Sequence, residues 1–234
     1  MNLVRNLPLI GLLLIPLVAM AEDNEPVMEA PLTPEQLAAT SDVVVLAQLR
    51  HLDYEYRREI PVSGEAWFEI LIPYKVPGAM DQIEVHEEGL HDEECYFERA
   101  EGWHEEPRFL LFLIKDEEEG EYRGNPAGCA LHVLTSRDAA YVIRYPQENL
   151  NLDEEGLDLV DSFDLVGPGA RRSTEGMTSI RKAELKEDYH MREEDEALVY
   201  TRGIELSLFR PLMGDGLLDE DRQYRRYSPG DNED

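Results

Sequence analysis

The 234-residue chain carries 51 acidic and 22 basic residues, a net charge of −29 at pH 7. That field repels phosphodiester backbones and anionic lipid, so it argues against nucleic-acid and membrane-surface binding and favours basic partners or divalent cations. Hydrophobic content of 42% is enough for a packed core, and the apolar residues concentrate between Val43 and Tyr145.

Met1 to Ala21 reads as a signal peptide. Arg5 supplies the positive start, Leu7 to Val18 the apolar run, and Ala19-Met20-Ala21 the small-x-small cleavage pattern. The run is shorter than the ~20 residues a spanning helix needs, and Pro8 and Pro16 interrupt it. No cysteine precedes Cys95, so a bacterial-type lipid anchor has no acceptor. A soluble mature chain beginning at Glu22, periplasmic or secreted, is the expectation, with no membrane anchoring after cleavage.

Residues 22–32 read as a flexible, acidic entry. Thr33-Pro34-Glu35-Gln36 then predicts a helix from Pro34 to about Ala39, with a capping hydroxyl, a proline at the first helical position and a Gln three residues after the cap. Extended segments follow at Asp42–Leu49, Ala66–Val76, Gln82–Glu87, Arg108–Lys115, Cys129–Thr135 and Ala139–Tyr145. Phe109 to Ile114 is nearly continuous apolar, as in a strand buried on both faces. Turn chemistry separates the segments: Pro61 and Gly64, Pro77-Gly78, Glu119-Gly120 and Gly124-Asn125-Pro126. The fold class is therefore mainly β, a small closed barrel or sandwich of five or six strands with a short N-terminal helix, over residues 33–146.

Residues 147–213 form a partly helical acidic extension. A short helix is expected within Asp153–Phe163 and a second after Ser173, running through Arg181 to Glu187. Val199–Leu208 is expected as one strand, and residues 214–234 as a disordered acidic tail.

Two cysteines, Cys95 and Cys129, in an exported chain are expected to pair. Closing that loop is worth roughly 3–4 kcal/mol in the chain-entropy model. The densest set of metal-binding side chains is His86-Glu87-Glu88-Gly89-Leu90-His91 with Asp92-Glu93-Glu94 beyond it. The zinc-protease pattern needs imidazoles one helical turn apart, and this spacing with its central glycine fails it. A loop site on His86 and His91 is the candidate metal site. Asp116 to Glu121 lacks the ligand alternation of a calcium loop and reads as a charged hairpin tip. There is no Gly-x-Ser-x-Gly elbow and no phosphate-cradling glycine loop with its lysine. Arg222-Gln223-Tyr224-Arg225-Arg226-Tyr227 interleaves bases with aromatics, but within strong negative charge. Trp67 is expected in the core and Trp103 in a loop.

Ser41 to Leu49 resembles the first strand of the netrin-like module, the oligonucleotide/oligosaccharide-binding (OB) barrel of tissue inhibitors of metalloproteinases. Phe68-Glu69-Ile70-Leu71-Ile72-Pro73-Tyr74-Lys75 is similar to that family's second strand, and Glu106 to Leu113 to its apolar strand. Cys95 and Cys129 fall where one family disulfide would lie. The similarity spans about Asp42 to Val133 and implies an OB-like barrel. The family's inhibitors chelate zinc through an N-terminal cysteine, and Glu22-Asp23-Asn24 offers none, so metalloproteinase inhibition does not carry over.

The expectation is thus an exported, non-catalytic binding protein whose partner is a protein or a cation, with no resident cofactor beyond a divalent cation. A metal-handling accessory protein using His86 and His91 is the alternative.

Overall fold

The computed structural model describes residues 31–89, 95–99, 106–116, 120–167 and 169–218. The signal-peptide segment, most of the entry, His91, Trp103 and the Arg222–Tyr227 patch lie outside the described residues. Helix α1 (Pro34–Thr40) carries the full capping box: the Gln36 amide donates to Thr33 Oγ1 at 3.3 Å and Thr33 N–H donates to Gln36 Oε1 at 2.9 Å. At its other end the Lys75 ammonium donates to the carbonyls of Ala38, at 3.0 Å, and Ser41. A cation there meets the negative end of the helix dipole.

Strands β1 (Val43–Arg57) and β2 (Ile60–Lys75) form one long hairpin, extending well past the expected ends. Arg58 and Glu59 make its two-residue turn, both with positive φ (52° and 70°). This is the turn that matches strand twist, built without the usual Asn or Gly. Next come β3 (Gln82–Glu88), β4 (Arg108–Lys115) and β5 (Tyr122–Gly124). β1 pairs with both β2 and β4, and a parallel bridge between Val85 and Tyr122 joins β3 to β5. The order β1-β2-β3-β5-β4 closes on itself as a five-stranded OB-like barrel.

Strands β6 (Ala130–Ser136) and β7 (Tyr141–Arg144) continue the sheet outward from β4. Alternation then splits two cores. Val43, Val45, Ala47 and Leu49 of β1 and Phe109, Leu111 and Leu113 of β4 fill the barrel with Phe68, Ile83 and Val85. Val44, Leu46, Leu110 and Phe112 point outward, onto Leu37 of α1 and a C-terminal layer. Both faces of these strands are covered, which is why their sequence reads as an unbroken apolar run. Trp67 corrects the expectation. It is half-buried on β2 outside the barrel core, with Nε1 donating to Glu84 at 3.0 Å and its ring beside His51.

The C-terminal third packs onto the barrel. It comprises α2 (Glu154–Asp158), β8 (Asp161–Ser162), β9 (Leu165–Val166), β10 (Arg171–Ser173), α3 (Ser179–Asp188), β11 (Met191–Glu194), β12 (Ala197–Tyr200), β13 (Arg202–Glu205), α4 (Leu206–Phe209) and a 3₁₀ turn (Arg210–Met213). Thr178, not Ser173, caps α3, with Oγ1 accepting from Arg181 N–H at 3.2 Å. The expected strand Val199–Leu208 divides at Thr201: β12 joins a small sheet with β10 and β11, while β13 pairs with β7. Gly203 allows that second pairing, since a Cβ there would stand 2.4 Å from Ile143 O. Ile204, Leu206, Phe209 and Met213 complete the outer core. Gly214 to Leu218, expected as tail, are ordered: Leu218 N–H donates to Tyr74 O at 2.7 Å. A third core, around Leu134, Val142, Leu165, Leu198 and Tyr200, joins the small sheet and α3 to β6 and β7.

Candidate functional site

The expected disulfide is present. Cys95, in the β3–β4 connection, is bonded to Cys129, just before β6, with Cα atoms 6.1 Å apart. Such a bond is the chemistry of an oxidising, extracellular-type environment. No helix among the described residues is long and apolar enough to cross a membrane.

Of the two histidines of the expected metal site only His86 lies among the described residues; His91 does not. His86 lies on β3 with Nδ1 3.8 Å from Glu65 and 3.9 Å from Glu121, at ion-pair rather than ligand spacing. Desolvation first, then the neighbouring Glu84, raises the Glu65 carboxyl above its ordinary value. No group of three His, Cys, Asp or Glu side chains that could hold a metal occurs among the described residues. Asp116 N–H donates to Glu121 O at 2.8 Å and Gly120 takes φ 78°, so Asp116 and Glu121 bracket the β4–β5 connection.

The most developed site is a half-open cleft of about 420 Å³ between the β6–β7 face and α3. On β6, Leu131 and Val133 point into the outer core, so alternation sends His132 to the opposite face. On β7, Tyr141 and Ile143 pack on that outer core while Arg144 follows Val142 toward the third core. Beyond β7 the chain turns through a cis Tyr145–Pro146 peptide. Gln147 then holds the floor. Its Oε1 accepts from His132 N–H at 2.7 Å and its Nε2 donates to Arg144 O at 2.8 Å. Asn149 Nδ2 donates to Ala130 O at 2.9 Å. Tyr189, at the end of α3, donates to Glu148 Oε1 at 2.9 Å and ties the helix to the loop.

Three arginines line this cleft: Arg144, Arg172 from β10 and Arg181 from α3. Arg181 pairs with Glu184 at 3.2 Å. The Arg144 guanidinium lies over the ring of buried Tyr200, 4.7 Å from its centroid, and its buried Nε has no hydrogen-bond partner. Burial lowers the Arg144 pKa; Tyr200 opposes this, Arg172 adds a lesser lowering, and Tyr189 and Glu148 oppose it more weakly. Burial first, then Arg144 and Arg172, push the His132 imidazole down to about 3, so it is neutral at physiological pH.

The cleft can hold negative charge in a strongly acidic protein. None of its residues was singled out from the sequence, because they come from five places along the chain. The nearest signal is Arg144 ending an otherwise apolar strand.

Comparisons with protein-family models, with curated proteins and with solved structures find no significant match to this chain.

Proposed function

We propose that this chain is an exported, non-catalytic binding protein built on a netrin-like OB barrel, with its ligand seat in the cleft beside β7. The observation that carries the reading is the cleft itself. Its lining groups are suited to holding a ligand rather than to moving a proton. His132 is neutral, with a pKa far below working pH, whereas a general base works best near it. Gln147 and Asn149 spend their amides on backbone. Glu148 accepts from Tyr189.

Export to the periplasm or medium is supported by the leader-like sequence Met1–Ala21 and by the Cys95–Cys129 bond. The OB-like barrel in this reading is supported by the closed strand order and the covalent brace by the Cys95–Cys129 bond, while the netrin-like likeness is carried by the sequence alone.

Native mass spectrometry of material purified from the exported fraction tests the reading. It should show a chain beginning at Glu22, two hydrogens lighter than its reduced form, carrying a non-covalent species released unchanged on denaturation. Retention of Met1, or release of a chemically altered species, would contradict it.

A further inference from the structure

We propose that the cleft between the β6–β7 face and α3 binds a small organic anion, a carboxylate or a phosphate ester, whose oxyanion seats on the Arg144 guanidinium. The inference rests on the binding reading above and supplies its ligand chemistry.

The first ground is a cost left open. A guanidinium drawn out of water loses hydration, and proteins offset that loss with a carboxylate or with carbonyl acceptors. Arg144 has no ion pair among the described residues, and its Nε is buried without an acceptor. Its compensation is the Tyr200 ring, with weaker electrostatic support from Tyr189 and the Glu148 carboxylate. A cation–π contact offsets part of the cost and leaves the in-plane N–H groups free for a ligand.

The second ground is the concentration of like charge. In a chain of net charge −29, this cleft gathers Arg144, Arg172 and Arg181. Arg172 has no ion pair among the described residues. Against these, the Glu148 carboxylate of the lining accepts from Tyr189 and acts weakly on Arg144, and Arg181 is paired with Glu184, so the uncompensated charge lies with Arg144 and Arg172. Unoccupied, Arg144 and Arg172 repel one another; a bound anion would turn that field to attraction.

Shape sets the ligand class. A planar guanidinium reads two oxygens of one carboxylate or phosphate side by side. A cavity of about 420 Å³ is within the range of small-molecule sites and exceeds what a bare phosphate fills. The net charge of the chain disfavours polyanions.

Calorimetric titration of the mature chain with citrate, glucose 6-phosphate and inorganic phosphate tests the assignment, with sucrose and spermidine as neutral and cationic controls. Saturable heat is expected with at least one organic anion. Arg144→Met should weaken it about tenfold or more and Arg172→Gln about threefold to tenfold, the loss expected for one charge-assisted contact. Thermal unfolding gives a second readout. Unliganded Arg144→Met should melt at or above the parent temperature, because it removes a half-buried charge without an ion pair, and should lose the anion-dependent rise. Heat unchanged in both variants, or no saturable heat with any anion at millimolar concentration, overturns the proposal. Saturable heat with sucrose or spermidine alone overturns the anion assignment and leaves a binding protein standing. Chemical conversion of a titrant overturns the non-catalytic reading instead.

Discussion

Gly124 donates its backbone N–H to the buried Glu87 carboxylate at 2.8 Å while its α-carbon lies against the Cys95–Cys129 bridge. A Cβ at this position would stand 2.7 Å from the Cβ atoms of both cysteines and 2.8 Å from Glu87 Oε1. The last residue of β5 is therefore glycine for lack of room, at the point where β3, β5 and the disulfide meet. Gly124→Ala should lower stability by about 1–3 kcal/mol, the usual cost of overpacking. Urea unfolding would show this as a lower midpoint at unchanged slope; an unchanged midpoint would mean the bridge yields freely.

The bridge itself has a separate cost. It closes a loop with a sequence separation of 34. Replacing Cys95 and Cys129 together by Ala should cost roughly 3–4 kcal/mol in the chain-entropy model. Urea unfolding of the double variant against the oxidised parent measures that difference.

Lys75 joins the end of β2 to the C-terminus of α1 through the Ala38 and Ser41 carbonyls. Lys75→Met keeps the apolar stem and leaves those acceptors to water. A loss of about 1–2 kcal/mol is expected, from one charge-assisted bond and the helix-end charge. Equal stability of variant and parent in urea would remove this capping role.

His132 makes stability depend on pH. Its folded pKa is about 3 against an ordinary 6.5, so the unfolded chain binds more protons through that window. The resulting stability is fully present above about pH 6.5 and is lost as pH falls toward 3. Arg144 and Arg172 add to the effect by opposing a third positive charge. Because the side chain is only partly buried, the loss between pH 7 and pH 5 should be about 1–2 kcal/mol. His132→Gln should lack that component, read as the difference between the two stability–pH curves.

The strands were legible where burial imposes a pattern. The Phe109–Ile114 run announced a strand covered on both faces, and the Thr33 capping box fixed the start of α1. The β1–β2 turn was not legible, since Arg58 and Glu59 adopt positive φ without the residue types that signal it. Nor was the break at Thr201, where adjoining residues serve two cores: Tyr200 packs in the third and Ile204 in the outer.

The candidate site was hidden for a different reason. His86 and His91 stand out locally as a metal pattern, whereas Arg144, Arg172 and Arg181 look like ordinary solvated charges. Their meaning arises only when the small sheet and α3 fold onto β7. What distinguishes Arg144 is a guanidinium stacked on Tyr200 with its Nε unbonded and no ion pair among the described residues, and no local sequence window displays that.

The most direct test of the account is the Arg144 side-chain Nε–H resonance in labelled mature protein titrated with citrate and with glucose 6-phosphate. The account predicts that this signal moves and saturates with at least one of them, at the midpoint found by calorimetry, while the Nε–H signals of Arg108 and Arg210, which do not line the cleft, stay in place. A stationary Arg144 signal at saturating anion would contradict it.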